Sequence, residues 1–369
     1  MNIKSIYSQA QELDQAVAEL KQQLDPAFEA KLLLVFASVS YDQQILNQKL
    51  AENFSGTTVV GCSTAGEIVS GHMLQNSLVA MAFNSQAIDD FQIQVLENIK
   101  TEDHVDAAFA AFEKHFGIPM AEMDYKKHVG LVLIDGLTLA EERLMESIGD
   151  KTNVTFIGGS AGDDLQFKQT YVYANGQAYS NAAVLVLLKP SIGFDFIKTQ
   201  SFCETVKRLT PTKVDPATRT VIEFNDQPAA QAYAEAVGTE VAQLSDYFMS
   251  NPVGLMDGNE PFVRSPMQVK DLALAFYCNM VEGMELSLLQ PMDIVKDTEV
   301  AVQEKLTELG HISGIIDFHC ILRTLQLRNE NRTEAYGKIF EDIPTIGFST
   351  YGEEFITHVN QTSTMLVFK

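Results

Sequence analysis

One short loop occurs three times in this chain, and it constrains the fold more than any other feature. It reads VVGCSTAGEI at 59–68, FIGGSAGDDL at 156–165 and TIGFSTYGEEF at 345–355. Aligned, the copies share Gly, any residue, Ser, a small or aromatic filler, Gly and an acid. These are Gly61, Ser63, Gly66 and Glu67; Gly158, Ser160, Gly162 and Asp163; and Gly347, Ser349, Gly352 and Glu353. An apolar run precedes each loop: KLLLVFASVS (31–40), HVGLVLIDGL (128–137) and SGIIDFHCIL (313–322). A helix-like segment lies between run and loop, clearest in LAEERLMESIG (139–149), and a β-rich run follows at 77–83, 182–188 and 362–368. The unit is therefore strand, helix, strand, loop, then strand or hairpin. A right-handed crossover places each loop at the carboxyl end of its second strand.

The expected fold class is α/β, with two mixed αβ domains. A length of 369 residues exceeds one ordinary core. The texture changes after the second unit, which puts the boundary near 190–220. Residues 1–205 then hold two repeat units and 206–369 the third. Within the second part, 220–238 reads as strand, turn and Ala-rich helix, and 247–266 as an irregular crossing rich in Pro and Gly. Residues 271–290 read as two β runs joined at Glu282-Gly283, and 297–310 as a helix capped by Asp297 and stopped by Gly310.

A net charge of −23 repels phosphate backbones and anionic headgroups, so nucleic-acid binding is not expected. The amino-terminal stretch carries Leu13, Val17, Leu20 and Leu24 along one helical face rather than the core of a signal peptide. No run of eighteen apolar residues is present, so membrane insertion is not expected either. Cys62, Cys203, Cys278 and Cys320 form no C-x-x-C pair and read as reduced thiols of a cytoplasmic protein.

The loops admit several chemistries. Gly158-Gly159-Ser160-Ala161-Gly162 matches the nucleophile elbow of serine hydrolases, but acids and a β-like stretch follow where a helix is required. A phosphate loop needs a lysine, and none stands near any copy. Small residues and hydroxyls at a strand end can hold a carboxylate or amide, which makes Ser63, Thr64, Glu67, Ser160, Asp163, Ser349, Thr350 and Glu353 the candidate ligand-binding residues. The competing reading is that these residues only let tight turns pack. The seven histidines form no zinc signature. A non-covalent haem would need one axial His and an apolar pocket.

Together, VVGCSTAGEI, IGGSAGDD, GLMDGNEPFVRSP and GFSTYGEEF…HVNQTST resemble the FIST family of bacterial sensory proteins, from about residue 30 to the end of the chain. The resemblance implies a FIST amino-terminal domain followed by a FIST carboxy-terminal domain, and an intracellular ligand-sensing module rather than an enzyme. Some stand-alone members are haem proteins that sense nitric oxide and act on a partner histidine kinase. Along that branch, His358 is the expected axial ligand of haem b, with His319 and His72 as alternatives. The other readings are a sensor of an amino acid or similar metabolite without haem, and a serine hydrolase using Ser160. The ligand is expected near the repeat loops or between the domains, with a sensor histidine kinase or other signalling protein as partner.

Overall fold

The structure, a computed structural model, describes residues 2–258 and 260–369. The first repeat is β1 (Ile3–Ser8), α1 (Leu13–Gln23), β2 (Ala30–Ser38), α2 (Gln43–Asn53), β3 (Thr58–Thr64), the hairpin β4 (Glu67–Val69) and β5 (His72–Leu74), and β6 (Leu78–Asn84). The second repeats the series as β7 (Ile88–Glu97), α3 (Val105–Phe116), β8 (Val129–Ile134), α4 (Glu141–Gly149), β9 (Phe156–Ser160), β10 (Val172–Ala174), β11 (Gln177–Tyr179) and β12 (Ala182–Pro190). β13 (Phe194–Gln200) then opens a third series.

That series is interrupted by β14 (Phe202–Leu209), β15 (Pro211–Asp215), β16 (Thr220–Phe224), β17 (Gln227–Pro228), α5 (Ala229–Val237), β18 (Val253–Asp257), β19 (Glu260–Arg264), β20 (Pro266–Lys270), β21 (Ala273–Phe276) and β22 (Leu286–Pro291). It resumes with α6 (Ile294–Leu309), β23 (Gly314–Cys320), α7 (Ile321–Asn329), α8 (Thr333–Lys338), β24 (Thr345–Thr350), β25 (Glu353–Phe355), β26 (Thr357–Val359) and β27 (Thr362–Phe368). Each unit is thus longer than the sequence suggests, with an outer strand and a further helix in front.

Contacts divide the chain differently from chain order. One compact unit comprises residues 1–198, 298–358 and 363–369, and so contains all three repeats. The other comprises 199–297 and 359–362. The expected division at 205/206 assigned the third repeat to the second domain. Its strands instead share sheets with the first two repeats.

In the repeat unit, three six-stranded sheets run β1-β6-β2-β3-β10-β11, β7-β12-β8-β9-β25-β26 and β13-β27-β23-β24-β4-β5. Within each repeat the crossover is as expected: β2 pairs in parallel with β3, β8 with β9, and β23 with β24. The hairpin after each loop leaves its own sheet. β4–β5 joins β24, β10–β11 joins β3, and β25–β26 joins β9. The exchange closes a ring around a pseudo-threefold axis.

Strand alternation explains the apolar runs. Leu32, Leu34 and Phe36 of β2, Leu131 and Leu133 of β8, and Ile316 and Phe318 of β23 point into one shared core. There Phe36 and Phe348 lie 4.5 Å apart. The opposite faces of the first two sheets meet helices through Leu33, Val35 and Ala37, and through Val132 and Ile134. The third sheet differs: Asp317 and His319 occupy its helix-side positions, under Tyr336.

The second unit builds two antiparallel sheets, β14-β22-β18-β19 and β15-β16-β21-β20, with α5 over a core that includes Val221, Phe224, Tyr233 and Phe276. Residues 247–266, expected as an irregular crossing, contain the hairpin β18–β19. The two expected β runs of 271–290 form, but β21 and β22 lie in different sheets. Asp297 does not cap α6, which begins earlier; the Asp293 carboxylate accepts the Lys296 N–H at 3.0 Å. Gly310, at φ +73°, ends that helix as expected.

Candidate functional site

The three repeat loops meet on the axis and bond to one another through their backbones. Gly162 N–H donates to the Ser63 carbonyl at 3.0 Å, Ala65 N–H to the Ser349 carbonyl at 3.2 Å, and Tyr351 N–H to the Ser160 carbonyl at 3.2 Å. Each loop therefore donates to the serine carbonyl of another. Return bonds run from Ser349 N–H to Gly66 and from Ser160 N–H to Gly352, both at 2.8 Å.

This hub explains the motif residue by residue. The first glycine faces a carbonyl of the parallel neighbour. A Cβ at Gly61 would stand 1.8 Å from the Val35 oxygen, at Gly158 1.7 Å from that of Val132, and at Gly347 2.4 Å from that of Asp317. The hydroxyls are taken up by bonds within the protein. Ser63 donates to the Gly162 carbonyl at 2.8 Å and Thr350 to the Ser160 carbonyl at 2.7 Å, while Ser349 shares a bond with Thr324 at 2.7 Å. Ser160 donates to Glu141 at 3.3 Å.

The acids are interior as well. Glu67 accepts from Thr64, from the Ser77 hydroxyl at 2.5 Å and from the Ser77 N–H at 3.1 Å. Burial nonetheless pushes its carboxyl up to about 7, the hydroxyl bonds opposing. The Asp163 carboxylate accepts N–H bonds from Phe167 at 2.8 Å, Lys168 at 2.6 Å and Gln169 at 3.0 Å. Glu353 begins β25 and is buried. All eight predicted ligand residues are at most 2% exposed. All eight belong to the three loops of the hub; of them only Asp163 lines either of the two cavities described next.

The cavities lie beside the hub. The first, of about 250 Å³, is lined by Val39, Ser40, Ala65, Gln75, Asn76, Asp164, Leu165, Gln166 and Arg328. The second, of about 340 Å³, includes Val39, Tyr41, Gln43, Asp163, Gln166, Lys168 and Tyr171. Arg328 is the principal charge of the first. It sits in the last turn of α7, half-buried, and the Gln75 amide oxygen, turned toward it, accepts from both terminal nitrogens at 3.1 Å. Burial lowers its pKa, against the pull of Asp164 and Glu67. A Cβ at Gly66 would come within 2.9 Å of its Nη2, and Gly66 holds φ +133°, so the loop glycine also makes room for the guanidinium. Asp164 accepts from the Ser38 hydroxyl at 2.9 Å.

Sequence reasoning misses Arg328, Asp164 and Gln75. A cation in the last turn of a helix reads as a complement to the helix dipole, and only the long-range placement of α7 against the first loop reveals another use.

The three candidate haem ligands are scattered. His72 is exposed on β5. His319 is wholly buried under Tyr336, with ring centroids 4.6 Å apart, and burial drives its pKa well down, as does Arg323. His358 is buried beside Gly352, its Nδ1 2.9 Å from Glu354 Oε1. Burial alone would lower its pKa, but the Glu354 carboxylate raises it to about 9. None of the three lines either cavity, so as placed they do not fit a porphyrin there. Among the described residues no group of three or more His, Cys, Asp or Glu could hold a metal ion. The cysteines are free thiols, and no helix among the described residues is long and apolar enough to cross a membrane.

Comparison with known proteins agrees with the repeat architecture. The FIST N domain matches residues 31–227 and the FIST C domain residues 229–355. An uncharacterized protein of Methanocaldococcus jannaschii is 22% identical over 303 residues, which cover 74% of this chain and 57% of the relative. The chain thus spans little more than half the length of that relative. It belongs to the FIST family, whose domains are sensory domains of signal transduction.

Proposed function

We propose that the chain senses a small polar metabolite whose carboxylate, or similar anionic group, binds Arg328 in the cavity beside the hub. One observation carries the reading: a half-buried guanidinium facing a cavity whose other polar side chains are Ser40, Gln75, Asn76, Asp164 and Gln166. A planar fork of donors suits a carboxylate. Asp164 on the same wall suits an amino group, which makes an amino acid the leading class. A thermal-shift screen of amino acids and simple carboxylates tests this. A ligand at a hundredfold excess over its Kd adds about 2.7 kcal/mol of stability. Arg328→Gln should abolish that gain; an undiminished gain in the variant refutes the assignment.

Binding without catalysis is part of the proposal. Ser160 is wholly buried and bonded to Glu141. A fluorophosphonate should leave it unlabelled, and labelling at Ser160 would restore the hydrolase reading. The signal would pass to a protein partner such as a sensor histidine kinase, tested by autophosphorylation of that kinase with and without the sensor.

Haem-based nitric oxide sensing is the second reading; it would use His358 at a place other than the two cavities, which that residue does not line. A carboxylate on Nδ1 orients an imidazole and raises its basicity toward a metal. Stoichiometric haem with a Soret band that shifts on adding nitric oxide, and that His358→Ala removes, would support it. Absence of such a band removes it.

A further inference from the structure

We propose that residues 163–169 form a gate, tethered by Tyr351, whose opening joins the two cavities into one cleft. The segment is the wall between them. Asp164, Leu165 and Gln166 line the first cavity; Asp163, Gln166, Lys168 and Gln169 line the second; Val39 is shared by both.

Its attachments are few, and beside those of Tyr351 the Asp164 N–H donates to the Thr64 carbonyl at 3.3 Å. The Tyr351 hydroxyl donates to Asp163 Oδ1 at 2.5 Å and accepts the N–H groups of Leu165 at 2.8 Å and Asp163 at 3.2 Å. Phe167 stacks on the Tyr351 ring, with centroids 5.0 Å apart. Ser38 holds Asp164. Apolar anchoring is weak, because Leu165 is 37% and Phe167 55% exposed. The closed backbone is also strained. Leu165 and Phe167 hold φ of 63° and 51°, a left-handed region unfavourable to bulky side chains. A strained segment held mainly by one phenol opens when that phenol lets go. Tyr351 is particular to the third loop: the first has Ala65 there, and the second is one residue shorter.

The gate deepens the small-ligand reading and rests on it for its purpose, but its opening is measured without ligand. The chain has no tryptophan, so Phe167→Trp supplies a single reporter. In ligand-free protein, adding Tyr351→Phe should raise acrylamide quenching of that reporter. It should also speed amide exchange at Leu165 and Phe167 at least about tenfold, with exchange in β8 unchanged. Equal quenching and exchange in the two proteins would overturn the gate. If Tyr351→Phe does not fold, Phe167→Ala, which removes the stacking, should speed exchange at Leu165, and no change there overturns the gate equally. These outcomes leave the Arg328 assignment standing, whereas a failed carboxylate screen removes that assignment and leaves gate opening measurable.

Discussion

Replacing His319 by leucine should stabilise the protein. The imidazole is wholly buried, and neither ring nitrogen has a hydrogen-bond partner among the described residues. Nδ1 lies 3.9 Å from Asp317 Oδ2, beyond hydrogen-bonding reach. Burial and the Arg323 charge keep the ring neutral, so one donor and one acceptor are unmet. Each such group costs about 1–3 kcal/mol. The repeat shows what the site accepts: in the same register beside the loop serine, the first unit has Ala37 and the second Ile134. Leucine removes both unmet groups at similar volume. After about 1 kcal/mol for imperfect repacking, a net gain of about 2 kcal/mol is expected. His319→Ala should instead lose stability, because a cavity from a large-to-small change costs about 2–5 kcal/mol. Urea unfolding at neutral pH of the three proteins should therefore rank leucine above histidine above alanine. A leucine variant less stable than the parent by more than about 1 kcal/mol would refute the reasoning, since a loss on that scale means the imidazole has a partner.

Three further outcomes follow from the hub and its cavity. Gly158→Ala should cost about 3 kcal/mol or more in urea unfolding, because its Cβ meets the Val132 carbonyl at 1.7 Å and backbone cannot yield cheaply. Glu67 is raised by burial from 4.5 to about 7. The folded state then holds the extra proton between those values, so stability is full below about 4.5 and declines as pH rises through 7. Glu67→Gln should remove up to about 3 kcal/mol of that decline, and an unchanged pH profile would show that Glu67 titrates alike in the folded and unfolded protein. Arg328→Lys should weaken any carboxylate found in the screen about tenfold or more in calorimetry, because an ammonium cannot make the forked contact.

The sequence made some layers legible and hid others. The three loops, their parallel crossovers and the strands behind them could be read because glycine, serine and apolar runs answer to local constraints: a carbonyl against a missing Cβ, a face against a core. The outer strands β1, β7 and β13 escaped because half-buried edge strands such as FDFIKTQ carry mixed polarity. The pairing of β18 with β19 is hidden in sequence by Pro and Gly that punctuate hairpins and irregular segments alike. The hairpin exchange lay beyond any window, since β25 pairs with β9 from nearly two hundred residues away. In sequence the loop residues read as ligand contacts, because a buried serine and an exposed one are spelled alike. Their burial in the hub moves attention to Arg328, whose neighbours come from the other end of the chain.

The exchanged hairpins bear on the order of assembly. The first sheet lacks its last two strands until the second repeat supplies β10 and β11. The second lacks β25, and the first repeat's own β4 has no edge to join, until the third repeat has emerged from the ribosome. No repeat can complete its sheet alone, so the ring closes only when β24 and β25 arrive. Such distant pairings make folding slow and leave unpaired strand edges open meanwhile. Truncation before β24 should therefore yield an aggregating chain rather than a smaller stable domain, and the finished ring, interlocked in this way, should melt as a single cooperative piece.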